Sequence, residues 1–186
     1  MPVKKPRAVL LDDGRIAIPW PGAEELARKG YGSREDDKLL LEPWEALYLL
    51  EKKRIEVLRG PEGPGMSFQE LLALLKTRDE WIWAKYLIYR DLRERGYVVK
   101  KGFGKGILFR LYDRGDYGRK PARFLVYGVL EGWPVRVSEL EEAVEHARAS
   151  DKELILAVVE RRGEVIYYSL CEWAKPGRRA RSSQSL

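Results

Sequence analysis

The chain contains one cysteine, Cys171, and one histidine, His146. A single thiol excludes an intrachain disulfide framework and any Cys-cluster zinc site. A single imidazole excludes multi-histidine metal centres and multi-histidine catalysis. Asparagine is absent, and glutamine occurs only at Gln69 and Gln184. No apolar run approaches the roughly 18 residues that a membrane-spanning helix needs, so no membrane partner is expected. The opening stretch MPVKKPRAVLLDDGR is apolar over too short a length for a signal peptide and meets an Asp pair at once, so a cytoplasmic location is expected.

The 186 residues suffice for one domain or two small ones. Hydrophobic residues make up 45% and aromatics 11%, enough for a packed core and against global disorder. Charged residues reach 34%, and with the labile amides nearly gone this bias suits a protein from a hot habitat. The net charge of +6 is uneven. The end of the chain, KPGRRARSSQSL, carries Lys175, Arg178, Arg179 and Arg181 and no acid. With nothing apolar to bury, residues 175–186 read as a disordered basic tail, able to neutralise phosphate or simply to solubilise the chain.

The first half alternates short elements with Gly and Pro punctuation. Arg7–Leu11 and Arg15–Ile18 read as strands around the turn Asp12-Asp13-Gly14. Pro21-Gly22 opens a short helix, Ala23–Lys29, and Tyr31–Asp37 reads as a polar loop. Leu39–Leu41 is a short strand. Pro43 starts a helix over Trp44–Lys53, whose apolar residues recur at three and four. Ile55–Leu58 is a further strand, and Arg59–Gly65 is the clearest linker. Ser67 and Glu70 form a capping box for a helix to about Thr77. Asp79 caps a helix over Glu80–Arg95, apolar nearly all round from Trp81 to Tyr89, so buried between layers.

The period then changes to two. Tyr97–Lys100, Ile107–Tyr112, Phe124–Leu130, Leu154–Glu160 and Val165–Leu170 are five strands, with one helix, Ser138–Arg148, capped by Ser138 and Glu141. Arg161-Arg162-Gly163 makes the hairpin between the last two strands. The fold class is α/β (α+β): a small mixed domain over 1–63 and a domain with a mixed sheet of about five strands flanked by helices over 64–174. There is no Walker A loop, G-x-S-x-G or H-E-x-x-H. Gly102–Gly106 is glycine-rich, but a phosphate cradle normally opens a helix. This stretch joins two strands and reads as a turn. Basic residues cluster among aromatics, as Lys100, Lys101, Lys105 and Arg110, and as Arg114, Arg119, Lys120 and Arg123. Such runs are either a solvated face or a phosphate track, depending on whether they line one groove.

The string YLIYRDLRERGYVVKKGFGKGILFRLYDRG, residues 86–115, carries three ordered patterns. They are Y-R-D-L-R-x-R-G-Y at Tyr89–Tyr97, K-x-G-F-x-x-G at Lys100–Gly106 and Y-x-R-G at Tyr112–Gly115. With FLVYGV, SELEEAVEHARASDKELILAVVE and GEVIYYSL after them and LEPWEALYLLEKKRIEV before, the chain resembles the tRNA-splicing endonuclease family. That resemblance implies cleavage of the bulge–helix–bulge in precursor tRNA, with 2′,3′-cyclic phosphate and 5′-hydroxyl products and no metal or cofactor. A tyrosine acts as base on the 2′-hydroxyl, a histidine protonates the leaving oxygen and a lysine stabilises the phosphorane. Without a metal, all three must come from the protein.

By the resemblance the tyrosine is Tyr112 and the lysine Lys152. The histidine position falls on Pro121, flanked by Lys120 and Ala122. His146 lies on a different element, in AVEHARA, and reads as a surface or helix-packing residue. The family's V-R pair in that helix is Val144-Glu145 here, and its Asp ahead of the Tyr112 strand end is Leu108. Two of three catalytic positions remain. The resemblance therefore implies a non-catalytic, structural subunit that joins a catalytic tRNA-splicing endonuclease subunit in a heterotetramer, a heterodimer of heterodimers around the tRNA. Two alternatives stay open: a self-sufficient endonuclease using Lys120 or water as acid, and a non-catalytic RNA-binding protein on the same fold. Lys100, Lys101, Lys105, Arg110 and Arg114 are the RNA-binding candidates. The subunit interface is expected on Val165, Ile166, Tyr167, Tyr168, Leu170 and Trp173, with Glu160 and Glu164 in the adjoining hairpin.

Overall fold

The structure is a computed structural model that describes residues 5–104 and 106–172. Its first half holds strands β1 (Arg7–Leu10) and β2 (Ile16–Pro19), helix α1 (Glu24–Arg28), strands β3 (Ser33–Glu35) and β4 (Lys38–Leu41), helix α2 (Pro43–Glu51) and strand β5 (Glu56–Leu58). Helices α3 (Phe68–Lys76) and α4 (Ile82–Glu94) follow. Strands β6 (Val98–Lys101), β7 (Ile107–Tyr112) and β8 (Phe124–Leu130), helix α5 (Val137–Ala149) and strands β9 (Glu153–Val159) and β10 (Val165–Leu170) complete the chain.

Each half builds a five-stranded mixed sheet. The first has the order β3-β4-β2-β1-β5, antiparallel except for the β1–β5 pair. The second has the order β10-β9-β8-β7-β6, antiparallel except for β8–β9, which run parallel. A parallel pair needs a crossover connection, and α5 supplies it.

Two expectations are corrected. The polar segment 31–37 contains β3, which pairs Ser33 with Leu40 and Glu35 with Lys38. Its three residues are exposed, so no hydrophobic alternation marks them, and only the partner strand makes them a strand. The expected box of Ser138 and Glu141 does not form: α5 starts at Val137, with Arg136 in the cap position and no side-chain cap. The Ser67–Glu70 box does form, with Glu70 N–H donating to Ser67 Oγ at 3.3 Å and Ser67 N–H to Glu70 Oε2 at 2.8 Å. Asp79 accepts from Trp81 N–H at 3.0 Å, one turn ahead of α4.

Helix α4 is the buried helix its sequence announces: Ile82, Ala84, Leu92 and every residue from Tyr86 to Tyr89 are buried. It packs on α2, α3 and the second sheet, so one apolar core runs from Ala8 and Ile16 of the first sheet to Phe109 and Val126 of the second. Aromatic rings close the joint. Trp44 meets Phe109 edge-on at 5.4 Å, and Tyr48 meets Tyr89 at 5.8 Å. The opposite face of the second sheet is covered by α5, over Leu125, Tyr127 and Leu154.

One carboxyl lies inside this joint. Glu45 is 2% exposed and accepts from Gly32 N–H at 3.0 Å and from Glu42 N–H at 2.9 Å. Its charged partner is Lys100, at 4.0 Å. Burial pushes the Glu45 carboxyl up from its ordinary value, while the Lys100 ammonium and the two backbone donors pull it back.

Candidate functional site

Three neighbouring interior strands carry the matched residues to one end of the second sheet. β7 ends at Tyr112. Because β8 runs antiparallel to β7, its first residue, Phe124, lies beside Leu111, and Arg123 N–H donates to Leu111 O at 2.9 Å. Because β9 runs parallel to β8, Glu153 lies beside Phe124, with Lys152 one residue before it. Tyr112, the segment Pro121–Arg123 and Lys152 are distant in sequence and adjacent here.

Local chemistry fixes each one. The Tyr112 ring stands edge-on to Tyr117, with centroids 5.1 Å apart. Lys152 follows the end of α5, where Asp151 takes φ 54° to turn the chain into β9. Its N–H reaches Ala147 O at 2.9 Å and its ammonium Ser150 O at 2.8 Å. A cation at the carbonyl end of a helix is favourably placed. Pro121 is exposed and Ala122 is buried. Lys120 pairs with Asp116 at 3.1 Å.

Sequence reasoning missed what stands between Tyr112 and Lys152. The Arg123 guanidinium is clasped by Glu153 at 3.3 Å and faces Asp113 at 3.7 Å, and it also covers the Phe124 ring at 4.7 Å. A cleft of about 530 Å³ opens beside Lys152. Its cations Arg123, Arg148 and Lys152 stand among the acids Asp151, Glu153 and Glu172, and Arg148 pairs with Glu172 at 2.9 Å. The basic cluster was legible in the sequence. Its acidic partners were not, because they come from three separate segments.

His146 is not at this end of the sheet. On α5, its ring meets Phe103 edge-on at 6.3 Å, and its Nε2 is buried with no hydrogen-bond partner among the described residues. Of the two expected places, surface or helix packing, the ring takes the second. Leu108, in the place of the family's Asp, packs on the apolar core.

The RNA-binding candidates separate. Lys100 is turned inward with 13% of its side chain exposed, and its ammonium is held by Gly30 O and Gly32 O beside Glu45. That corrects its place among the surface cations: it ties the two halves together. Lys101 is exposed and pairs with Glu42 at 3.3 Å. Arg110 lies over Phe103 at 4.5 Å, and Arg114 is exposed in the loop after Tyr112. Lys105 lies outside the described residues. Gly106 has φ 77°, and a Cβ there would enter the Tyr127 ring, so the glycine-rich segment is a tight strand-joining turn.

The expected interface strand, β10, is an edge of the second sheet. Val165 and Tyr167 lean on the core, whereas Ile166 and Tyr168 are 38% and 52% exposed. A six-residue edge with large apolar side chains is an open pairing surface. Glu160 and Glu164 close its hairpin through backbone bonds, including Glu160 N–H to Glu164 O at 2.9 Å. Trp173 lies outside the described residues. Among the described residues no group of three or more His, Cys, Asp or Glu side chains could hold a metal ion, and no helix is long and apolar enough to cross a membrane.

Comparison with known proteins agrees with this architecture. Residues 8–72 match the family model for the tRNA intron endonuclease N-terminal domain, and residues 82–167 match that for the catalytic C-terminal domain. A tRNA-splicing endonuclease of Methanococcus maripaludis is 38% identical over 168 residues, 90% of this chain and 94% of its own length. Those of Methanococcus vannielii and Methanopyrus kandleri are each 36% identical, over 90% and 91% of this chain and 94% and 93% of their own lengths. The two sheets, their order in the chain and these matches over both halves show that the chain belongs to the tRNA intron endonuclease family.

Proposed function

We propose that the chain is the structural subunit of a tRNA-splicing endonuclease. It assembles with a catalytic subunit as a heterodimer of heterodimers and lets that partner cut bulge–helix–bulge introns from precursor tRNA. The observation that carries this reading is the Arg123 clasp. Cleavage without a metal needs a base, an acid and a cation converging on one phosphate. Between Tyr112 and Lys152 the acid's place holds exposed Pro121, and the nearest cation, Arg123, is held by Glu153 beside Asp113. Carboxylates at that point repel a phosphodiester. The neighbouring ammonium of Lys120 pairs with Asp116, which disfavours it as a substitute acid.

The partner surface is β10, through Ile166 and Tyr168 on its exposed face and its free backbone edge. Lys101, Arg110 and Arg114 face the tRNA, where they neutralise phosphate. The chain divides at 63–64 in this reading, whereas the N-terminal family match runs on to residue 72, inside α3, and the C-terminal match begins at residue 82.

The test is a cleavage assay on precursor tRNA. The purified chain alone is expected to leave the substrate intact. Adding a catalytic family member should give 2′,3′-cyclic phosphate and 5′-hydroxyl ends, with Tyr112→Phe in this chain changing little. Robust cleavage by the chain alone, abolished by Lys152→Ala, would overturn the assignment.

A further inference from the structure

Phe103 lies in the turn between β6 and β7, and its side chain is 51% exposed. Exposure alone explains nothing, since single apolar side chains are common on protein surfaces. Its neighbours set it apart. The Arg110 guanidinium lies 4.5 Å from the ring centroid. Among the described residues the polar partner of Arg110 is a backbone carbonyl, Lys101 O at 3.0 Å, and no carboxylate lies within ion-pair reach of it. Behind the ring, the His146 imidazole stands edge-on at 6.3 Å.

The turn that carries the ring is stiff. Gly102 N–H donates to Leu108 O at 2.8 Å, and the backbone runs so close to β7 that a Cβ on Gly102 would collide with Ile107 O. Ring and guanidinium are therefore held in place before any ligand arrives, which lowers the ordering cost of binding.

Strand pairing says where this pair faces. Arg110 is the partner of Leu125, which packs in the core beneath α5. Side chains two apart on a strand share a face. Tyr112 therefore lies on the same face as Arg110, about 7 Å further along β7 and at the end of the sheet. A strand of RNA whose backbone passes Tyr112 is thus led towards Phe103.

We propose that Phe103 and Arg110 form a stacking platform for one unpaired base of the RNA, next to the nucleotide that faces Tyr112. An exposed aromatic face beside an uncompensated guanidinium is the chemistry that binds a splayed-out base and its phosphate. Phe103 supplies the ring face, Arg110 neutralises the adjoining phosphate, and His146 supports the ring from behind. Such a platform separates an unpaired base from a paired one, because stacking neighbours cover both faces of a base inside a duplex. The platform deepens the tRNA contact of the subunit reading and rests on that contact, but it needs neither assembly nor cleavage by this chain.

The test is binding of the full chain, alone, to a fluorescent RNA duplex with one unpaired purine, read by anisotropy. The control is the same duplex with an abasic residue in place of that purine, which keeps every phosphate. The wild type should bind the base-bearing RNA about tenfold more tightly than the abasic one. Phe103→Ala should erase this difference, and Phe103→Trp should keep it. Arg110→Ala should weaken both RNAs and reduce the slope of log affinity against log salt by about one. Because Phe103 is exposed, thermal unfolding of its variants should match the wild type. Failure of the wild type to bind either RNA, equal binding of the two, or a difference that survives Phe103→Ala overturns the proposal. So does a Phe103→Ala chain that binds RNA normally but no longer joins a catalytic family member, since the platform would then hold a protein. Cleavage by the chain alone would overturn the structural-subunit reading and leave the platform standing.

Discussion

Arg123 and Glu153 close on each other across the first rung of the parallel β8–β9 pair, Nε to Oε1 at 3.3 Å. The pair is exposed, so its contribution to stability is small, about 0–1 kcal/mol. Its placement matters more. It lies between Tyr112 and Lys152, and it fills that ground with a neutralised cation.

If position 121 is where the missing acid belongs, supplying it should change the activity of the chain alone. Pro121→His is expected to give detectable cleavage of precursor tRNA, since a placed general acid contributes about 10²–10⁴-fold. Combining it with Glu153→Gln, which opens the clasp, should raise the rate further. Product ends and a rate–pH profile are the measurements. No cleavage by either folded variant would show that more than the acid has been lost.

The shared core predicts joint unfolding of the two halves. Phe109 is fully buried and touches Trp44 from one half and Tyr89 from α4. Phe109→Ala should cost about 3–5 kcal/mol and shift a single urea transition, seen alike by tryptophan fluorescence and circular dichroism. Two separated transitions in the wild type would contradict a continuous core.

Glu45 gives a pH prediction whose sign follows from its raised value in the fold. Between its ordinary value of 4.5 and its folded value, the native state holds the proton more tightly than the unfolded chain does. The Glu45 contribution to stability therefore falls as pH rises through that window. Glu45→Gln removes this dependence. The stability difference between variant and wild type should move in the variant's favour from about pH 4 upward. Chemical denaturation across that range checks it, and an opposite slope would mean that Lys100 and the backbone donors outweigh burial.

The edge strand predicts how assembly fails. Ile166→Arg with Tyr168→Glu should leave the fold intact, because both side chains are exposed, and should abolish association with a catalytic partner. Light scattering of the mixture reads the loss. Unchanged association would move the interface elsewhere.

Much of the fold was legible from the residues. β7, β8 and β10 coincide with their alternating, β-branched stretches, and α4 with an apolar run too dense for a surface helix. The family patterns pointed to Tyr112, Lys152 and the segment at Pro121, which strand pairing brings side by side. Other features carry no local signal. β3 is polar on every residue and is a strand only because β4 lies next to it. Ser138 offers good capping chemistry, yet the backbone enters α5 one residue earlier.

Composition, periodicity and motif order determined the class of fold, its single imidazole and the family that the chain resembles. These are local properties, written in side-chain type and spacing. The tertiary structure decided where charges that are far apart in the chain come to rest. It turned Lys100 inward onto Gly30 and Gly32, and it brought Asp113, Arg123 and Glu153 together on three strand ends. The physical reason is that an ion pair depends on distance through space, and strand pairing sets that distance with no trace in the spacing along the chain.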